Sequence, residues 1–346
     1  MRVLVIGGSG FIGSRLIDAL LERGHEVTNF DRARRDRDGV VFIEGDVRSA
    51  AELTAAGAGH DAIVNLAAEH RDDVQPLSRY TEVNVDGATA VTEAAVANGI
   101  DRIVFTSSVA VYGLDKVNPD ETWEPEPFNE YGRTKLLAEG IFTAWATADA
   151  GRSLAVIRPS VVFGEGNRGN VHTLAAQVAS GRFLQVGKGD NRKSMSYVGN
   201  IVEFLADRLE VGPGVHLTNF ADKPDLSTRQ LVALLRETLG RTNGSRIVLP
   251  LPLGILAGHV FDLAGKITRR TFPISAIRMR KFAAETTVST ERLAATGFTP
   301  RYSLQESLVR TLSAEFPQLA SATHPITNRT TESTDGIAGG PHVKRD

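Results

Sequence analysis

The chain has no cysteine among its 346 residues, which excludes disulfide stapling, thiolate metal sites and a cysteine nucleophile. Excess charge of one sign is missing too. Its 39 basic and 41 acidic residues leave a formal net charge of −2, with no basic arm and no aromatic-basic interleaving, so nothing calls for a nucleic acid partner. The eight histidines show no metal-ligand spacing, and no metal is expected. No apolar run is long and unbroken enough to span a membrane, and the first residues already read as a strand of the fold, leaving no room for a signal peptide. The length allows one large domain, or a domain with a smaller lobe.

At the N-terminus Arg2-Val3-Leu4-Val5-Ile6 is an apolar run of buried-strand type, followed by Gly7-Gly8-Ser9-Gly10-Phe11-Ile12-Gly13 and an apolar-periodic segment to Arg23. Strand, glycine turn and helix in that order let the backbone approach a pyrophosphate and aim a helix N-terminus at it. The spacing is Gly-x-x-Gly-x-x-Gly, one residue longer in the first gap than the two-domain dehydrogenase form. The second strand, Glu26 to Phe30, ends in Asp31, eighteen residues after Gly13. A carboxylate there accepts from the ribose hydroxyls and repels a 2′-phosphate, favouring NAD over NADP, while Arg32, Arg34 and Arg35 act against that preference. Gly45-Asp46-Val47 and Ala62-Ile63-Val64-Asn65-Leu66-Ala67-Ala68 fit an adenine pocket and a strand edge over the same ligand. Taken singly, each is a buried strand and its turn.

A second constellation is Ser107-Ser108-Val109-Ala110-Val111-Tyr112-Gly113, then Tyr131-Gly132-Arg133-Thr134-Lys135. A tyrosine four residues before a lysine on a helix puts both side chains on one face, where the ammonium stabilises the phenolate and makes Tyr131 a base. Ser108, arriving at a strand end, can hydrogen-bond the same substrate oxygen. That set suits removal of a proton from an alcohol while hydride leaves its carbon. By itself such a pair also fits an amphipathic helix with a solvated lysine. The chain contains a decoy, Tyr112-Gly113-Leu114-Asp115-Lys116, but glycine and an Asn-Pro-Asp stretch make that a strand leaving into a loop.

Strands alternate with helices to about Pro159, which predicts an α/β fold: a Rossmann-type, doubly wound parallel sheet with a smaller C-terminal substrate-binding lobe. The dinucleotide domain is expected over 1–160, with later segments returning to it, the lobe mainly over 161–316, and a disordered tail over 317–346. In the lobe two polar, glycine-rich loops, 164–170 and 187–193, flank a helix pattern. Ser227-Thr228-Arg229-Gln230 and Ser303-Leu304-Gln305-Glu306 match capping boxes. The segment 247–281 is apolar up to Gly265, broken by Pro250, Pro252, His259 and Asp262, then basic through Lys266, Arg269, Arg270, Arg278, Arg280 and Lys281. It reads either as an interfacial element seeking anionic lipid or as a core helix with a solvated basic edge.

With these residues in place the chain, from Met1 to about Phe316, resembles the extended short-chain dehydrogenases/reductases of the nucleotide-sugar epimerase/dehydratase type. Long blocks, among them Ala67 to Val74, Thr106 to Leu114, Asn167 to Val171, Lys193 to Phe204 and Asp222 to Leu226, resemble the branch that acts on polyprenyl-diphosphate-linked N-acetylglucosamine rather than on a UDP-sugar. The resemblance implies that Gly7, Gly10, Phe11, Ile12, Gly13, Asp31, Arg32, Asp46, Val47, Leu66, Ala67 and Ala68 hold NAD, together with Tyr131 and Lys135. It implies that Ser108, Tyr131 and Lys135 are catalytic in a 4-epimerase that oxidises C4 transiently and reduces it again on the other face. His70, Arg168, Asn170, Arg192 and Lys193 are candidates for the substrate. The three cations among them are candidates for its diphosphate, or else are solvated loop residues.

Two departures sharpen this. Related dehydratases and decarboxylases place an acid one or two positions after the active-site serine or threonine, where this chain has Val109 and Ala110. The diphosphate-binding Arg-Asp of nucleotide-sugar enzymes is replaced by Lys193-Ser194, a point charge instead of a fork. The implied partners are a lipid-diphosphate-linked or nucleotide-linked sugar, an anionic membrane touched peripherally, and a second copy of the chain in a homodimer. The implied location is the cytoplasm, at the inner face of the cell membrane. A soluble UDP-hexose 4-epimerase and a 3β-hydroxysteroid-type dehydrogenase remain the alternatives.

Overall fold

The computed structural model describes residues 1–71, 74–241, 248–256 and 283–320. Strand β1 (Arg2–Ile6) is buried on both faces. Val3 and Val5 enter one core, Leu4 and Ile6 the other. Such a strand belongs in the middle of a parallel sheet covered twice. It is flanked by β2 (Glu26–Asp31) and β3 (Val40–Glu44) on one side and by β4 (Ala62–Asn65), β5 (Arg102–Thr106) and β6 (Ser153–Pro159) on the other. All these pairs are parallel. The strand order reverses direction between β1 and β4, and a cleft opens above the carboxyl ends of strands at such a point.

Helix α1 (Phe11–Glu22) covers the first face. The other face carries α2 (Ala50–Gly57), α3 (Ser78–Thr81) running through a π turn into α4 (Gly87–Asn98), and α5 (Glu130–Thr147). The second half begins with β7 (Val161–Phe163), α6 (Asn170–Ala179), β8 (Gln185–Val186), β9 (Arg192–Tyr197) and α7 (Val198–Asp207). The chain then returns to the large sheet, because β10 (Gly214–Phe220) pairs in parallel with β6 as a seventh strand. Arg23, the C-cap of α1, bonds Glu203 and Asp207 of α7, tying the later helix to the first face.

The lobe consists of β11 (Asp222–Ser227), which joins β9 and β7 in a three-stranded sheet, α8 (Thr228–Thr238), and β12 (Val248–Leu249) paired with β8. Both capping boxes form, Ser227 with Gln230 and Ser303 with Glu306. Arg192 and Lys193, expected in a loop, are the first residues of β9, because they pair across to Ser227 and Leu226. Tyr112, expected at a strand end, closes a 3-10 turn over Val109–Tyr112 capped by Ser108. Of the apolar-basic segment only residues 248–256 are described, so Lys266 to Lys281 lie outside the described residues. The same is true of Asp72, Asp73 and everything after 320. Pro317–Ala320 is a short helical turn.

Candidate active site

The glycine turn after β1 fits a backbone that a ligand must approach closely. Gly7 has φ +84°, and a Cβ on it would lie 2.8 Å from the Ala67 nitrogen. On Gly13 a Cβ would meet the Gly7 oxygen at 2.4 Å. Gly10 is the N-cap of α1 and supplies no side-chain acceptor, which leaves the first-turn N–H groups of that helix available to an anion. Asp31, at the end of β2, accepts from the Ser9 N–H at 3.0 Å and from Ala33 N–H at 2.9 Å, so it braces the glycine turn as well as facing the cleft.

That cleft has a volume of about 530 Å³. Its walls include Gly7, Gly10, Phe11, Ile12, Gly13, Asp31, Arg32, Asp46, Val47, Leu66, Ala67 and Ala68, together with Ser108, Tyr131 and Lys135. Asp46 also holds Arg48, and that hydrogen-bonded guanidinium keeps the Asp46 carboxyl below its ordinary value against the opposing effect of burial. The wall further contains Val83, Pro159, Ser160 and Val162, which no motif of the sequence marks, and Ser107 and Asn167, which stand in the serine motif and the Asn167 to Val171 block without a site role assigned to them. The available signal was position: Pro159 and Ser160 follow a strand of the parallel sheet at its carboxyl end. Thr106 Oγ1, another wall atom, is buried without a hydrogen-bond partner among the described residues. A glycine cradle, a free helix N-terminus, an acid at the end of β2 and an unpaired hydroxyl are a donor and acceptor set that fits NAD.

Tyr131 and Lys135 arrive together because Asn129 caps α5, accepting the Gly132 N–H at 2.9 Å. Burial raises the Tyr131 phenol above its ordinary value, and a hydrogen bond shared with Ser108 opposes that rise. The Ser108 hydroxyl also accepts from the Ala110 N–H at 3.1 Å, which fixes its rotamer at the mouth of the 3-10 turn. Lys135 is 2% exposed. Its Nζ donates to the Thr106 carbonyl at 2.8 Å and sits 4.8 Å from the centre of the Phe105 ring. Burial pulls the ammonium down to about 7, with the nearby Glu139 carboxylate opposing. This arrangement can exchange a proton with an alcohol oxygen placed against Ser108 and Tyr131.

The substrate candidates divide. His70 and Asn170 line the cleft, the latter at the start of α6. Arg168 is turned to Glu315, which it bonds at 2.5 Å. Arg192 is exposed and donates to the Asp225 carbonyl at 3.1 Å. Lys193 donates to the Ala284 carbonyl at 3.1 Å, and burial pulls it down to about 8 while Glu285 opposes.

Comparison with known proteins adds relatives. The profile of the NAD dependent epimerase/dehydratase family matches residues 3–213. The N-acetyl-alpha-D-glucosaminyl-diphospho-ditrans,octacis-undecaprenol 4-epimerase of Escherichia coli O157:H7 is 46% identical over 317 residues, covering 91% of this chain and 95% of that protein. A 3-beta-hydroxysteroid dehydrogenase of Mycolicibacterium neoaurum is 34% identical over 228 residues, 62% of each chain. Among solved structures, MoeE5 in complex with UDP-glucose and NAD superposes with a TM-score of 0.74 at 26% identity, covering 92% of this chain and 100% of that one.

Proposed function

Because the chain belongs to the NAD dependent epimerase/dehydratase family, we propose that it is an NAD-dependent 4-epimerase interconverting N-acetylglucosamine and N-acetylgalactosamine on a polyprenyl diphosphate. Such a reaction serves the building of cell-surface polysaccharide. The observation that carries this reading is the 46% identity to the lipid-linked-sugar 4-epimerase along nearly the whole of both chains. The cleft residues named above from Gly7 to Ala68, with Tyr131 and Lys135, hold the cofactor. NAD held by these residues would supply hydride acceptance and return at C4, so no external redox partner would be consumed.

The chain's own groups manage the proton. Tyr131, as phenolate, takes the proton of the sugar 4-hydroxyl, and Ser108 donates to that oxygen as its charge develops. Lys135 supplies the positive charge that makes the phenolate accessible. In the return half-reaction Tyr131 gives the proton back to the 4-keto oxygen. Val109 and Ala110 follow the serine, so no carboxylate is positioned there to handle elimination of water or loss of carbon dioxide. His70 and Asn170 contact the sugar, and Lys193 with Arg192 beside it serves the diphosphate, while Arg168 is held by Glu315.

A polyprenyl tail does not stay in water, so the lobe meets the membrane peripherally, at the cytoplasmic face. Leu184, Val248, Leu253 and Leu256 support this: each is exposed, next to or on the β8–β12 ribbon or in the helical residues 251–256 that follow it. No described helix is long and apolar enough to cross a membrane. Val96 on α4 and Leu137 on α5, also exposed, support a homodimer through those helices.

The test is product analysis: purified protein with NAD⁺ is offered polyprenyl-diphosphate-linked N-acetylglucosamine and, separately, UDP-N-acetylglucosamine, and each product is hydrolysed and scored for N-acetylgalactosamine. Conversion of the lipid-linked sugar alone is expected. Conversion of the UDP-sugar alone makes the enzyme a soluble nucleotide-sugar epimerase, and NADH released in step with a sterol substrate makes it a dehydrogenase.

A further inference from the structure

Beneath the proposed site lies a charged network that the sheet does not need for its packing. Glu139 and Arg158 are 7% and 3% exposed. Arg158 Nε and Nη2 donate to the two oxygens of Glu139 at 2.9 and 2.6 Å. Ser107 Oγ donates to the same carboxylate at 2.5 Å. Arg158 Nη1 donates to the Tyr112 hydroxyl at 2.8 Å, which in turn donates to Asn219 Oδ1 at 2.9 Å. The Asn219 N–H donates to Glu121 at 2.6 Å. A buried ion pair of this kind adds little or nothing to stability over well-packed apolar residues of similar volume, so its presence in a core asks for another reason.

The reason is its position. Glu139 lies one turn beyond Lys135 on α5, and positions four apart on a helix share a face. The groups around Lys135 are Tyr131 and Glu139 from its own helix, Phe105, the Thr106 carbonyl, Ser107 and Ser108 from the end of β5, and Arg158 from β6. Tyr112 and Glu121 are reached through the network. Among these, Glu139 is the carboxylate whose field acts on the Lys135 ammonium. It cannot swing away, because a fork of two N–H groups and a hydroxyl hold both of its oxygens. Ser107, which it anchors, immediately precedes Ser108.

We propose that Glu139, clamped by Arg158 and Ser107, is a positioning residue of the reaction: it is the fixed counter-charge that keeps Lys135 an ammonium and thereby keeps Tyr131 usable as a base. This rests on the role of Tyr131 and Lys135 given above. Arg158 neutralises the pair as a whole and prevents the carboxylate from folding back onto Lys135 as a direct ion pair.

Removing one charge alone leaves the other buried and unpaired, so the informative variant is Glu139→Gln/Arg158→Met, which removes both. Two readouts are taken. One is ultraviolet difference titration of tyrosinate in the NAD-loaded protein, with Tyr131→Phe as the blank. The other is the pH profile of kcat with the lipid-linked sugar. The ionisation of Tyr131 and the acid limb of kcat are expected to move up together by about one pH unit or more, a tenfold loss at neutral pH, while KM and NAD affinity stay within about threefold. A folded double variant whose Tyr131 titration and acid limb do not move overturns the proposal. If the double variant does not fold, Ser107→Ala, which leaves the ion pair intact and removes one of the three donors that hold the carboxylate, is expected to move the titration in the same direction, and an unmoved titration overturns the proposal equally. The titration needs no sugar. Failure of the substrate reading therefore appears as a titration shift in the double variant beside a wild-type protein that shows no epimerisation.

Discussion

Lys135 Nζ donates to the Thr106 carbonyl at 2.8 Å from a site that is 2% exposed to solvent. An ammonium held there is costly for folding, since burial pulls it from its ordinary value of 10.5 down to about 7. Below about pH 7 both folded and unfolded chains carry the proton and the full cost is present. Between about 7 and 10.5 the folded chain sheds the proton first, so this contribution to instability fades as pH rises. Lys135→Met is therefore expected to raise the melting temperature of the cofactor-free protein at pH 7, by an amount that shrinks towards pH 10, while kcat falls by about 10²-fold or more. Calorimetry across that pH range checks it; a variant that is less stable at every pH refutes the assignment of strain to the charge.

Tyr131→Phe removes only a hydroxyl whose hydrogen bond is shared with Ser108. The proton then has no acceptor, and turnover should fall by about 10²- to 10⁴-fold, the range general-base groups supply. Fluorescence titration should find NAD affinity unchanged within about threefold. Retained turnover would remove Tyr131 as the base.

Asp31 holds the Ser9 and Ala33 N–H groups as well as facing the cleft. Asp31→Ala should weaken NAD binding and narrow the preference for NAD over NADP by about tenfold or more, because the repulsion of a 2′-phosphate goes with the carboxylate. Ser9 loses its anchor at the same time, so the affinity for both dinucleotides should drop, NAD more. Equal losses for the two would leave Asp31 as a brace of the loop and nothing else.

The glycine turn, Asp31 and the Ser108, Tyr131 and Lys135 set were legible because each is local: a run of glycines after an apolar strand, or residues one helical turn apart. Glu139 and Arg158 were not. Glu139 reads as an ordinary polar position of a helix, and its meaning depends on Arg158, nineteen residues away on a neighbouring strand. The one available clue was a charge inside the apolar run Leu154-Ala155-Val156-Ile157-Arg158, since a charge placed in a central strand needs a partner. The return of β10 to the large sheet was also hard to locate, because Gly214–Phe220 is only partly buried and follows a lobe of different character. The placement of Arg192 and Lys193 was misjudged for a physical reason. Their composition suits a loop, yet pairing with Leu226 and Ser227 makes them a strand.

That strand leads to the last expectation. Arg168 is 67% exposed at its side chain and already neutralised by Glu315, whereas burial pulls Lys193 down to about 8 against the opposing field of Glu285. If Lys193 serves the diphosphate, its charge is present below about pH 8 and lost as pH rises through that value, so KM for the lipid-linked sugar should climb above pH 8, separately from the change in kcat that follows the loss of the Lys135 proton. Lys193→Arg, which stays charged, should flatten the climb, and Lys193→Met should raise KM at pH 7 by about tenfold, the worth of roughly one charge-assisted hydrogen bond. Arg168→Ala should change KM by less than about threefold, as expected for an exposed pair. The opposite pattern, with Arg168→Ala damaging and Lys193→Met silent, would move the diphosphate from β9 to the loop after β7.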